Sequence, residues 1–198
     1  VAPTTARGYR DPVSIRTDTP PALSDFTALD LDTLVNAYAA WSAHIPRRLL
    51  DCTDEQLDTA FTEDAGIGRW PLRVLVGHLT DCEIVYTYRM RRTVAEANPV
   101  LANFDPDAFA DAGLYGTEQG GDDKPIAGFI AVTHTLRAWT AEWLRTLDPE
   151  DWSRPALHPN DGEVDLKHIT AKAVWHVAHH GVFLRSKLDH LLGPPDDD

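Results

Sequence analysis

The sequence predicts an all-α chain, a four-helix bundle with a long connection between its second and third helices. Three observations lead there. Apolar residues recur every three to four positions in four separate segments, which is the spacing of one helical face. Alternation of apolar and polar residues, the mark of a half-buried strand, is almost absent. Medium and long links join the four segments, as bundle topologies allow.

Residues 1 to about 28 are rich in Pro, Thr and Asp and read as an extended arm. Asp30 or Asp32 is placed to cap the first helix. Leu34, Tyr38, Trp41, Ile45 and Leu49 share a face of it, and Pro46 predicts a kink. Thr53 opens a short helix. The turn AGIGRWP then leads to Pro71, which suits the first turn of the second helix because its missing N–H costs nothing there. Leu72, Leu75, Leu79, Tyr86 and Met90, extended by Val76 and Cys82, mark that helix's apolar face.

The connection from Asn98 to Pro125 is long enough to point to a function, and Phe104, Phe109, Leu114 and Tyr115 give it side chains to pack with. Asp105 and Asp107 precede a short helix in it and read as caps. The third helix starts near Ile126 and is expected to bury Phe129, Val132, Leu136, Trp139, Trp143 and Leu147, with Asp148 and Pro149 stopping it. The run LHPNDGEVD reads as a turn or an extended pair. The fourth helix runs from Leu166 to about Leu192, where Gly193, Pro194 and Pro195 end it. Ile169, Ala173, Val177, Leu184 and Leu188 form its buried stripe. The expected organisation is an arm over 1–28, one bundle domain over 29–193 and an acidic tail over 194–198.

A net charge of −13 over 198 residues argues against a nucleic-acid partner, which needs a basic face. Arg89, Arg91 and Arg92 cluster at a helix C-terminus, where positive charge is favourable without any ligand. Two cysteines, Cys52 and Cys82, are too few for a disulfide scaffold and read as small buried side chains. No run of 18 apolar residues occurs, and the N-terminal segment lacks signal-peptide character. No membrane partner is expected, and a cytoplasmic location is the default.

The chemistry centres on histidine. His176 and His180 are four residues apart in the last helix, so both imidazoles stand on one face. Neutral imidazole is the commonest metal ligand. His78, on the second helix beside Leu75 and Leu79, is a third candidate. Three histidines with one vacant position make a catalytic divalent-metal site. Spacing alone does not choose between His179 and His180, and Asp81 or Cys82 is placed to hold His78 from outside. His44, His134, His158, His168 and His190 lack a spaced partner and read as structural or surface residues. No HExxH run, paired-cysteine zinc motif, P-loop or GxSxG elbow occurs.

The run GRWPLRVLVGHLTDCE resembles the second-helix signature of the DinB/YfiT-like superfamily, in which a tryptophan-led turn precedes a helix bearing a ligand histidine. The run VWHVAHHGVFLRSKL is similar to that family's last-helix HxxxH signature. NPVLANFDPDAFAD and LHPNDGEVDLKH resemble the connections before the third and fourth helices in its YfiT branch. The resemblance covers roughly residues 35–192. It implies a bundle of DinB/YfiT-like type with ligands at His78, His176 and His180, and His179 as a neighbour only. It departs at Glu83 and Ile84, where relatives carry other polar residues.

The resemblance further implies a metal-dependent S-transferase, in which zinc or nickel holds the sulfur of a low-molecular-weight thiol of the bacillithiol class. That thiolate then attacks an electrophilic small molecule positioned by the 98–125 connection. Tyr86, Arg89 and Trp175 are expected in the pocket wall, and a homodimer through a helix face is implied as well. Two rivals stand beside this. A metal-dependent hydrolase would place water in the open position and would need a base, for which Asp81 and Glu83 are the nearby carboxylates. A non-enzymatic stress-related module would hold a structural metal behind a fourth protein ligand.

Overall fold

The computed structural model of the chain describes residues 19–116 and 125–195. Its helices are α1 (Leu23–Thr27), α2 (Leu31–Ala39), α3 (Asp54–Leu57), α4 (Leu72–Ala95), α5 (Pro106–Asp111), α6 (Ile126–Leu144) and α7 (Leu166–Leu192). An antiparallel hairpin of β1 (Pro155–His158) and β2 (Gly162–Asp165) precedes α7, with Ala156 opposite Val164. Helices α2, α4, α6 and α7 form the bundle.

The direction of each helix follows from its partners. The Thr80 and Thr133 hydroxyls are 3.0 Å apart and those of Thr87 and Thr140 are 3.3 Å apart, both pairs at a separation of 53 residues. A constant offset means that α4 and α6 run parallel. His78 meets His176 while Thr170 donates to the Met90 sulfur, so α4 and α7 run antiparallel. Parallel neighbours cannot be joined by a short turn. A helix of 24 residues is about 36 Å long, and the chain must travel that distance back before α6 begins. The long connection after α4 is therefore a requirement of the topology. Its start is tied to β1 by one isolated parallel bridge, with Leu101 N–H donating to the Leu157 carbonyl and Leu157 N–H to the Pro99 carbonyl, both at 2.9 Å.

Local signals place most of the elements. Asp30 caps α2 by accepting from Thr33 N–H, and Thr53 and Gln56 form a capping box at α3. Asp105 caps α5 by accepting from the backbone of Asp107 and Ala108, with Pro106 at the first position. Pro71 sits one residue earlier than expected, as the cap itself of α4. Asp165 accepts from His168 N–H to start α7. The HPND run is the hairpin turn, and Gly162 takes φ +77° there.

Three expectations need correction. The first helix ends at Ala39 and gives way to 3-10 turns over Trp41–His44 and Arg47–Asp51 instead of kinking at Pro46. Pro46 forces Ile45 into an extended conformation, and the turn before it lies flat on α7, where a Cβ on Gly181 would stand 2.8 Å from the His44 carbonyl oxygen. Residues 19–28 are not wholly extended: α1 docks on α7, and the Trp175 indole N–H donates to the Pro21 carbonyl at 2.9 Å. Residues 1–18 and 196–198 of the expected arm and tail lie outside the described residues.

The third correction concerns α6. Its buried face is Thr133, Arg137, Thr140, Ala141 and Leu144, whereas Val132 and Trp139 are exposed and Phe129, Leu136, Trp143 and Leu147 are only partly covered. The reason lies on α4. Glu83 is 1 % exposed and needs a partner, which Arg137, equally buried, supplies through Nε at 2.6 Å. Arg137 also donates to the carbonyls of Tyr38 at 3.2 Å and Ala173 at 2.7 Å, and the Tyr38 hydroxyl donates to Glu83. A buried charge left unpaired costs several kcal/mol, on the order of 3–5, so Arg137 takes the centre of the inward face of α6 and Val132 and Trp139 are left exposed beside it.

Candidate metal centre

His78 and the pair His176 and His180 meet where α4 and α7 cross. α7 is a continuous helix of 27 residues, so the i,i+4 pair keeps one face. The Nε2 atoms of His78 and His176 are 3.0 Å apart. One donor nitrogen from each of the three imidazoles lies within 4.8 Å of the others. Ring centroids are separated by 4.9 Å for His78–His176, 5.0 Å for His78–His180 and 4.5 Å for His176–His180, with interplanar angles of 65°, 82° and 77°. The rings meet edge to face, and it is their nitrogens that converge. Two nitrogens each about 2.05 Å from one tetrahedral ion stand about 3.3 Å apart, so the donor set fits a small divalent metal.

The electrostatics suit ligation too. Burial pushes the His78 imidazolium down to about 4 and that of His180 to about 3, and it holds His176 well below its ordinary value. All three are neutral near pH 7 and keep a lone pair. Cys82 Sγ stands 3.6 Å from Nδ1 and 3.7 Å from Nε2 of His78, against the ring between the two nitrogens. Cys82, not Asp81, is the group behind His78. Its thiol is pushed well up by burial and stays protonated.

The rim is aromatic. The Trp70 ring lies 4.9 Å from His78, and Phe104 of the connection lies 6.3 Å away and nearly parallel. Of the expected wall residues, Tyr86 stands 5.8 Å and Trp175 6.4 Å from the His176 ring. Arg89 sits behind Tyr86, 6.0 Å from its ring, and donates to the Ala102 carbonyl at 2.7 Å, while its buried Nε lacks a hydrogen-bond partner. The His179 ring lies 5.0 Å from that of Trp175, tilted by 40°, and is not in the convergent group. Trp70 was legible only as part of a turn. Tyr115 was legible only as a packing residue of the connection, and Arg137 carried no sequence signal, since each acts through a partner on another element.

The carboxylates of α4 are committed elsewhere. Asp81 accepts from the Tyr115 hydroxyl at 2.6 Å, and Glu83 is held by Arg137 and Tyr38. Among the described residues, no carboxylate hydrogen-bonds to the three imidazoles. His158 is structural: its Nδ1 accepts from the backbone of Asn160 and Asp161 in the hairpin turn.

A sequence model of the DinB superfamily matches residues 38–183. A protein of Oceanobacillus iheyensis named "Putative metal-dependent hydrolase" is 26% identical over 151 residues, covering 74% of this chain and 81% of its own. The similarly named YfiT of Bacillus subtilis is 29% identical over 130 residues, covering 65% and 67%. The solved structure of YfiT, described as a probable metal-dependent hydrolase with an unusual four-helix bundle topology, superposes with a TM-score of 0.65 at 21% identity, over 96% of this chain and 95% of that one. With a fold shared along nearly its whole described length and a family model matching most of its residues, the chain belongs to the DinB superfamily.

Proposed function

We propose that this protein is a metal-dependent S-transferase that joins a low-molecular-weight thiol of the bacillithiol class to an electrophilic small molecule. His78, His176 and His180 would hold the ion, taken here as zinc or nickel, the metals implied by the family resemblance. A divalent ion in this position supplies positive charge that lowers the pKa of a thiol brought beside it. The observation that carries the reading is that both carboxylates of α4 are committed elsewhere, Asp81 to the Tyr115 hydroxyl and Glu83 to Arg137 and Tyr38. Attack by a thiolate needs no protein base once the sulfur is deprotonated, whereas hydrolysis benefits from one.

The residues around the centre have separate tasks in this reading. Trp70 and Phe104 cover His78 and exclude water. Tyr86 and Trp175 flank His176 and shape the approach of the thiol. The second reading, a hydrolase, is favoured by the names of the relatives.

The test is to incubate zinc- or nickel-loaded protein with glutathione, cysteine or bacillithiol and monochlorobimane. Thioether formation above the protein-free rate, lost in His176→Ala, supports the transferase. Thiol-independent hydrolysis of ester or amide substrates by the loaded protein, with no thioether product, supports the hydrolase instead.

A further inference from the structure

A narrow cleft lies beside the three imidazoles. Tyr86 and Arg89 of α4, His158 of the hairpin, Asp161 of its turn, and His168 and Lys172 of α7 line it. Tyr86 is the wall it shares with the candidate metal centre, its ring 5.8 Å from that of His176. Arg89 is the group there that the fold leaves unanswered. It is 8 % exposed, one guanidinium nitrogen donates to the Ala102 carbonyl at 2.7 Å, and its Nε has no hydrogen-bond partner. Among the described residues no carboxylate forms an ion pair with Arg89, because Asp161, the acid of the cleft, is held by Lys172. Burial pushes the Arg89 guanidinium below its ordinary value, as befits a buried charge without a counter-ion. His158 accepts two backbone N–H groups at Nδ1, so its neutral ring carries the proton on Nε2 and adds a second donor.

We propose that this cleft is the carboxylate subsite for the thiol cosubstrate, with Arg89 as its anchor and Lys172 and His158 beside it; the assignment rests on the transferase reading above. A buried charge and an unpartnered donor are costly until an anion enters. The planar guanidinium suits a carboxylate, to which it presents paired donors. Position sets the length of the ligand. Lys172 and His168 stand one and two turns before His176, about 6 and 12 Å of helix rise. A thiol with its sulfur at the three imidazoles therefore carries its carboxylate on the order of 10 Å away. Cysteine, whose carboxylate is only a few bonds from sulfur, is too short. A tripeptide-sized thiol with carboxylates at its ends reaches.

Two measurements separate the subsite from the reading it rests on. The first is thermal melting of metal-free protein with succinate, against chloride at matched ionic strength. The expected rise in Tm is lost in Arg89→Met and in Lys172→Met and kept in the control Arg145→Met, an exposed cation that bonds Asn36 on α2. The second is titration of cobalt-loaded protein with glutathione or its diethyl ester, read by the thiolate-to-metal absorption band. Glutathione should bind at least about 10-fold more tightly than the diester, and Arg89→Met should weaken glutathione by about 10–100-fold while leaving the diester unchanged. Lys172→Met carries both readings if Arg89→Met fails to fold. A wild-type melt indifferent to succinate, or a rise retained in both cleft variants, overturns the subsite. Equal affinity for glutathione and its diester overturns the thiol as its ligand. Succinate stabilisation lost in the cleft variants, with no thiolate band in any protein, supports the subsite and defeats the transferase reading instead.

Discussion

His78 and His176 lie 98 residues apart in the chain, yet their Nε2 atoms are 3.0 Å apart across the crossing of α4 and α7. Both sit in a low-dielectric interior with His180, and each prefers to be neutral there. The metal-free protein should therefore be acid-sensitive. The unfolded chain takes up these protons near pH 6.5, but the folded chain only near pH 4 and below. Stability rises with pH wherever the unfolded state binds more protons. The stabilisation is full above about pH 6.5 and is lost as pH falls through about 4. Thermal melts of metal-free protein from pH 7.5 to 4 should show a steady fall in Tm, and a flat profile from 7 to 4.5 would contradict this.

Cys82 packs its sulfur against the His78 ring, 3.6 Å from Nδ1 and 3.7 Å from Nε2. Replacing a partner behind a metal ligand typically weakens binding by about 10–100-fold. Cys82→Ala should fall in that range by chelator competition, and Cys82→Ser, which keeps an acceptor, should lose less. Equal affinity in all three proteins would remove the orienting role.

The pair of Glu83 and Arg137 fixes α6 against α4 and, through the Ala173 carbonyl, holds α7 one turn before His176. Arg137→Met leaves the Glu83 carboxylate buried and unpaired, and should cost about 3–5 kcal/mol in denaturant unfolding. Glu83→Leu combined with Arg137→Met should recover most of that loss. A double variant as unstable as the single one would show that the pair is not what costs energy when broken.

Gly77 precedes His78 and lies under the Tyr115 ring, which a Cβ at 77 would overlap. Tyr115 is buried and donates to Asp81. Gly77→Ala must push Tyr115 away and should destabilise by about 1–3 kcal/mol despite alanine's higher helix propensity. Tyr115→Phe, which removes only the hydroxyl, should cost about 0.5–1.5 kcal/mol. A stabilised Gly77→Ala variant would mean the ring moves freely.

Much of this was legible in the chain. The limits of α7, the caps at Asp30, Thr53 and Asp105, and the inward faces of α4 and α7 all follow from local residues. The converging histidines were legible only in part: spacing points to His78 and His176 but leaves His179 and His180 open, and it is the family resemblance that selects His180. What could not be read was pairwise. Periodicity shows that Val132, Leu136 and Trp139 share a stripe, but it does not show that Glu83 on another helix draws the opposite stripe inward. The end of the first helix at Ala39 depends on contact between the next turn and Gly181, which lies far along the chain. Phe104 reaches His78 only because the connection after α4 comes back over it.

The central claim is that His78, His176 and His180 hold one divalent ion. Elemental analysis of protein purified without a polyhistidine tag tests it directly, beside His78→Ala/His180→Ala and the exposed control His134→Ala. The account predicts about one ion per chain in the parent and in His134→Ala, and almost none in the double variant. Full metal content in the double variant, or none in the parent after reconstitution with zinc or nickel, would contradict it.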